Sequence, residues 1–273
     1  MDIPFSDISV TVTHTLKTVR VRSPGVVWVR AGSKGIITPQ RADGQLMVQA
    51  GGLCLLGAGH QWDVSNHIGP SGRYTASVWA VPEAVLDAFA SHYPALAGQP
   101  SLNGFATTRA PDDWAQTWER ARHAAAQGAA TSALHRGVEI LLTLAEQRLV
   151  FPSRVQLSWT DRVCNLIAQR PHADWSVDAL ASHFLLSGST LRQRLQDEDS
   201  NVTACLRDVR LELGLGLLQT TDIPVGQIAQ RCGYESHSRF TAAFRSRFGL
   251  SPSSMRSVDN KKSDLAQETS ASG

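Results

Sequence analysis

The sequence predicts an α+β protein of two parts: a β-barrel or sandwich with accompanying helices, followed by an all-helical domain of two helix-turn-helix units joined by a linker helix. Three observations carry this. The first 82 or so residues are short β-branched and aromatic runs punctuated by Gly, Pro and Asn. From about residue 158 the apolar residues recur with helical period instead. Within that helical half, one pattern occurs twice. A length of 273 residues is also more than one ordinary domain needs.

The strand-like runs come first. "VVWVRAG", "KGIITPQ", "GQLMVQAGGLCLLGAG" and "RYTASVWAV" are each bounded by turn residues, as in a small barrel or sandwich. Three helices follow, near 82–92, 112–127 and 131–149. The first opens on a proline at its N-terminus, and the second opens on carboxylates and closes at Gly128. The third places Leu134, Val138, Leu141, Ala145 and Leu149 on one stripe, suited to dimerisation or to packing on its own barrel. Residues 1–150 thus form the first domain, with 151–157 as linker. The helical domain spans 158–257, and the small polar residues 258–273 read as a disordered tail.

Composition excludes several classes. Cys54, Cys164, Cys205 and Cys232 are scattered without a CxxC pair, which fits a reducing compartment and neither a zinc site nor a disulfide framework. The N-terminus lacks a signal-peptide pattern and no apolar run reaches membrane-span length, so a cytoplasmic protein without a membrane partner is expected. His60 and His67 lie near each other but lack an H-x-H pair or a glutamate at ligand spacing, so no metal or other cofactor is expected. Trp28, Trp62 and Trp79 are candidates for an apolar ligand pocket, or simply core. No nucleophile or metal constellation marks residues 1–150 as an enzyme.

The repeat is the most informative feature. Leu180-Ala181 matches Ile228-Ala229 at an offset of 48, and Ser187, Leu191 and Leu195 match Ser236, Phe240 and Phe244 at 49. Each copy reads as a short helix (about 177–197 and 225–247 with their partners), a turn, a serine N-cap and a second helix. The alanines leave room where two helices cross steeply, and the i, i+4 apolar pairs anchor the second helices. Their remaining faces carry Ser189, Thr190, Arg192, Gln193 and Gln196 in the first copy. The second offers His237, Ser238, Arg239, Thr241 and Arg245. Such side chains pair with base edges and phosphates of double-stranded DNA. Between the copies, Asn201 can cap a helix of about 19 residues, roughly 28 Å long, with Leu206, Val209, Leu213 and Leu217 in helical period. Such a rod suits two readers set about 34 Å apart in one groove. The net charge of +2 is uninformative. The distribution is not, for Arg192, Arg194, Arg231, Arg239, Arg245 and Arg247 all lie in or beside the second helices of the two copies.

These residues, with Arg210-Leu211, Leu217-Leu218, Cys232-Gly233-Tyr234 and the "GLSP" at 249–252, resemble the DNA-binding domain of the AraC/XylS family of bacterial transcription regulators over about 100 residues. The branch it is most similar to contains virulence and stress-response activators. The resemblance implies base contacts from Ser189, Arg192, Gln193, His237, Ser238 and Arg239. It also implies a cupin-like sensor and dimerisation domain in the "GQLMVQAGGLCLLGAGHQWDV" region, a homodimer, and RNA polymerase as partner. Control would come from a small-molecule effector or, alternatively, a regulatory protein; a cupin-type enzyme with an accessory DNA-binding domain is the remaining reading. Four positions depart from the family pattern: Cys205 replaces a usual aromatic, Gly214 a usual alanine, Arg239 a frequent aromatic and Ala242 a frequent basic residue.

Overall fold

The computed structural model describes residues 5–37, 44–102, 104–152 and 157–256. The expected tail at 258–273 and most of the expected linker lie outside them. The chain forms two compact units, one of Met1–His14 with Val19–Val155 and one of Thr15–Thr18 with Gln156–Gly273.

The first unit holds nine described strands: β1 (Phe5–Val10), β2 (His14–Val21), β3 (Gly25–Ala31), β4 (Ser33–Ile37), β5 (Gln45–Gln49), β6 (Gly52–Leu56), β7 (His60–His67), β8 (Tyr74–Ala80) and β9 (Phe105–Arg109). Its helices are α1 (Glu83–His92), α2 (Pro94–Ala97), α3 (Trp114–Ala126) and α4 (Ala130–Ala145). The strands do not close into a barrel. They make a five-stranded sheet, β1-β8-β3-β6-β9, and a four-stranded sheet, β2-β7-β4-β5, with every recorded pairing antiparallel.

The inner strands β3 and β6 of the larger sheet are buried on both faces, which explains why they read as continuous apolar runs rather than alternating ones. Along β3, Val26 and Trp28 join one core with Leu53, Leu55 and Trp79, together with Trp114, Trp118 and Leu141 of the helices. Val27 and Val29 point the opposite way, into a second core with Cys54, Tyr74 and Ala76 and with Ile36 and Val48 of the smaller sheet. This is the period-2 alternation of a strand with both faces occupied.

The stripe on helix α4 packs largely within its own unit, one of the two expectations for it. Val138, Leu141 and Ala145 are buried in the sheet–helix core, and Leu134 and Leu149 pack against it half-buried. The stripe is consumed by its own unit, where α4 packs on α1 and α3. At Gly137 an added Cβ would stand 3.0 Å from Val85, showing how closely α4 approaches α1. Of the five stripe residues, Val138, Leu141 and Ala145 are thus buried within this unit, and Leu134 and Leu149 are half-buried.

Beyond Thr15–Thr18, which belong to β2, the described elements of the second unit are all helical: α5 (Trp159–Gln169), α6 (Val177–His183), α7 (Gly188–Gln196), α8 (Val202–Thr220), α9 (Val225–Arg231), α10 (His237–Phe248) and a 3-10 turn at Ser253–Met255. Side-chain oxygens cap most of these helices. Ser158, Ser176, Ser187, Asn201 and Ser236 accept the Asp161, Ala179, Thr190, Ala204 and Arg239 amides. Gly249, at φ +81°, ends α10 in the left-handed conformation.

The linker α8 differs from its expected single stripe. Its buried residues fall into two sets: Val202, Cys205 and Val209 near its start, then Leu211, Gly214, Leu215 and Leu218. At 100° per residue these sets lie on roughly opposite faces of the helix. The first set joins the core of α5, α6 and α7. The second faces α10, where Gly214 lies against Phe240. Leu206, Leu213 and Leu217 remain only half-buried. A helix shared by two cores needs apolar residues on two faces, and one periodic stripe cannot supply both.

Candidate nucleic-acid interface

Each unit of the repeat is a short helix crossed by a longer one, and the crossing is fixed by small residues. Ala181 and Ala229 are both buried, beside Leu180 and Ile228. The longer helices are anchored by Leu191 and Leu195 in α7 and by Phe240, Phe244 and Phe248 in α10, all fully buried. The three phenylalanine rings pack in series at tilted angles, with centroids 5.6 and 4.7 Å apart.

The opposite faces are open. On α7, Ser189, Thr190, Arg192, Gln193 and Gln196 are all exposed. On α10, His237, Ser238, Arg239 and Arg245 are exposed, and Thr241 is half-buried. Positions 189, 192, 193 and 196 follow the i, i+3, i+4, i+7 spacing of one helix face. Their equivalents at the offset of 49 are Ser238, Thr241, Ala242 and Arg245. These four, with His237 and Ser246, line an open groove along α10. The side chains expected to share a face are thus brought onto one face in each copy, with Thr190 and Arg239 at its flank. Ala242 and Ser246 belong to the groove but were not singled out as site residues; the repeat offset, applied to Gln193, points to Ala242.

Several site side chains are held by neighbours. Gln193 donates to the Asp197 carboxylate at 2.8 Å, one helical turn on. Arg239 pairs with Glu235 at 3.1 Å with both groups well exposed, a contact worth well under ~1 kcal/mol that DNA phosphate can displace. Thr190 shares a hydrogen bond with the cap Ser187. Other arginines are committed to structure. Trp159 is sandwiched between the guanidinium groups of Arg162 and Arg194, at 3.9 and 4.2 Å from the ring centroid. Arg247 is largely covered and lies 3.6 Å from Asp208. The expected basic face therefore reduces to Arg192 on α7 and Arg239 and Arg245 on α10, with Arg231 exposed on α9.

Two further groups frame the units. Glu198, following α7, accepts the Trp159 and Thr160 amides at 2.8 Å each and so caps the start of α5. Burial alone would raise its pKa, but these hydrogen bonds outweigh it and the pKa is lowered. Arg256 donates to the carbonyls of Thr221 and Ile223, which close α8 and lead into α9.

In the first unit, Trp28, Trp62 and Trp79 do not converge on a pocket. Trp28 and Trp79 are buried in the sheet–helix core, Trp28 edge-on to Trp118 and Trp79 stacked on Phe5. Trp62 packs on the other side of the larger sheet, against Phe105 and His60. Strand alternation separates them, since β3 and β8 present these tryptophans to the helices. His60 bonds the Ala58 carbonyl and His67 the Ser65 hydroxyl. Among the described residues no group of three or more His, Cys, Asp or Glu could hold a metal. All four cysteines are free and buried, and burial pushes the Cys54 and Cys232 thiols up to about 12. Lys34 is buried between the sheets, donating to Asn66 at 3.2 Å, and burial lowers its pKa. No described helix is long and apolar enough to cross a membrane.

Comparison with known proteins agrees with this architecture. Residues 180–257 match a family model described as a helix-turn-helix domain. The urease operon transcriptional activator of Escherichia coli is 31% identical over 102 residues, covering 37% of this chain and 34% of that protein. The HTH-type transcriptional regulator GadX of Escherichia coli (strain K12) is 30% identical over 98 residues, 36% of each protein. The chain thus spans about a third of the length of these curated relatives. Wild-type ToxT from Vibrio cholerae strain SCE256, solved with an unsaturated fatty acid bound, shares the fold, with a TM-score of 0.64 at 12% identity over 94% of this chain and 96% of ToxT. The helical unit of this chain is thus similar to the DNA-binding parts of these transcriptional regulators and matches a helix-turn-helix domain over residues 180–257.

Proposed function

We propose that this chain is a sequence-specific DNA-binding transcription regulator that inserts α7 and α10 into adjacent major-groove segments of one duplex. The observation that carries the proposal is the pair of serine-capped helices, each with an exposed polar face, packed on opposite faces of one 19-residue helix. Base-edge contacts are assigned to Ser189, Thr190, Arg192, Gln193 and Gln196 on α7. On α10 they fall to His237, Ser238, Arg239, Thr241 and Arg245. Arginine–phosphate contacts supply much of the affinity and make it salt-dependent.

The chain's role is assigned as activation, with RNA polymerase as partner; the urease operon relative is named as a transcriptional activator. Control is assigned to the sheet-rich unit, by a small effector or by a regulatory protein. The fatty acid bound to ToxT, a relative in fold, favours a small effector. Homodimerisation is assigned to the same sheet-rich unit.

The test is a mobility shift with the DNA upstream of operons neighbouring its gene, titrated with salt. Arg192→Ala is expected to weaken specific retention by about 1–3 kcal/mol, or roughly 5- to 150-fold. Equal retention of unrelated DNA by the parent and the variant would contradict the proposal.

A further inference from the structure

We propose that Arg210 is a positioning residue that fixes the separation of the two reading helices, and with it the half-site spacing the protein accepts. This rests on the function proposed above. Arg210 lies on α8 between the two opposed buried faces, where the core of the first helix-turn-helix gives way to that of the second. Its Nε donates to the Pro171 carbonyl at 3.0 Å, in the connection between α5 and α6. Its Nη1 reaches the Gly233 carbonyl at 3.5 Å, in the turn between α9 and α10. One planar guanidinium thus spans both units. The fork geometry suits this, because a planar group with donors on separate nitrogens holds two acceptors in a fixed relation.

Gly233 is shaped to receive it. The residue has φ +75°, and a Cβ there would stand 3.1 Å from both Cζ and Nε of Arg210. Glycine therefore serves twice, taking the left-handed conformation and letting the guanidinium lie against the backbone. Across the same helix, Asp208 lies 3.6 Å from Arg247 of α10 and 3.8 Å from its neighbour Arg207. Among the described contacts of α8, the Arg210 guanidinium reaches polar backbone of both units. A hinge at this point would leave each helix-turn-helix core intact while freeing the angle between them. Half-site spacing is the property of DNA that such an angle reads.

The experiment is selection from a random-sequence duplex library with the full chain, Arg210→Ala and Arg210→Lys. The parent is expected to enrich two half-site motifs at one separation. Arg210→Ala should enrich the same two motifs with separations spread by at least one base pair either way. Arg210→Lys, which keeps the charge and stem but bonds one carbonyl at a time, should show an intermediate spread. A single unchanged separation in both variants would overturn the inference. So would loss of both motifs in both variants, which would assign Arg210 to folding alone. Failure of the parent to enrich any motif would instead overturn the proposed DNA-binding function.

Discussion

The two helix-turn-helix units share a design but differ in how each is held and in what each presents. The first has an aliphatic anchor, Leu191 and Leu195, and a turn built on Leu185. That leucine takes φ +55° and is almost fully exposed, at 94%. The second has an aromatic anchor of three tilted rings, and its turn places Gly233 at the equivalent position with φ +75°. On the reading face the first carries Arg192 and Gln193 where the second carries Thr241 and Ala242. Long bidentate side chains discriminate base edges, whereas a threonine or alanine methyl offers little beyond contact with a thymine methyl. The comparison teaches that one scaffold can present different side chains at equivalent positions, provided backbone and caps agree.

The largest expected effect probes the anchors. Phe240→Ala should cost about 3–5 kcal/mol and Leu191→Ala about 2–5 kcal/mol, read by chemical denaturation. Because each core closes on its own part of α8, either loss should appear first as melting of one unit. A simultaneous loss of both would show that α8 couples them more tightly than described.

Next come the two glycines of α8, which should respond with opposite sign. A Cβ at Gly214 would stand 2.8 Å from the Phe240 ring, so Gly214→Ala forces overpacking of about 1–3 kcal/mol. This accounts for the departure from the family's usual alanine: the chain gives up helix propensity to admit an aromatic ring. Nothing lies within 4 Å of a Cβ at Gly216, so Gly216→Ala should stabilise by about 0.5–1 kcal/mol through propensity alone. Equal effects at the two sites, measured as shifts in unfolding midpoint, would refute the Gly214–Phe240 packing.

The turn residues also respond with opposite sign, and Leu185 gives one of the smallest effects. Leu185→Gly should stabilise slightly, by less than about 1 kcal/mol, because relief of left-handed strain exceeds the entropy that glycine adds to the unfolded chain. Gly233→Ala should destabilise by about 1–2 kcal/mol, combining that strain with the approach to Arg210. Thermal unfolding of both variants separates the signs.

Much of this was legible in sequence because it is local. Serine caps, the paired alanines, the i, i+4 anchors and the closing glycine all act within a few residues, so the repeat at offsets 48 and 49 reports real geometry. The runs at Val26–Val29 and Leu53–Leu55 likewise identified strands. What failed depends on which element covers which. The α4 stripe is equally apolar whether it meets a partner or its own sheet. Trp28 and Trp79 look like pocket residues until strand parity turns them toward the helices. A single period fitted to α8 missed its change of face, and the commitments of Arg194 to Trp159 and Arg247 to Asp208 span tens of residues. Sheet closure is decided by pairings of that same range, and a run of strands reads alike in a barrel and in two sheets.

The most direct test of the central claim is a hydroxyl-radical footprint on a selected site, comparing the parent with Arg192→Ala and Arg245→Ala. Two protected patches on one face of the duplex, about 10 base pairs apart, are expected, with each variant weakening a different patch. A single patch, or two patches lost together in either variant, would contradict the account of two separate readers held by one helix.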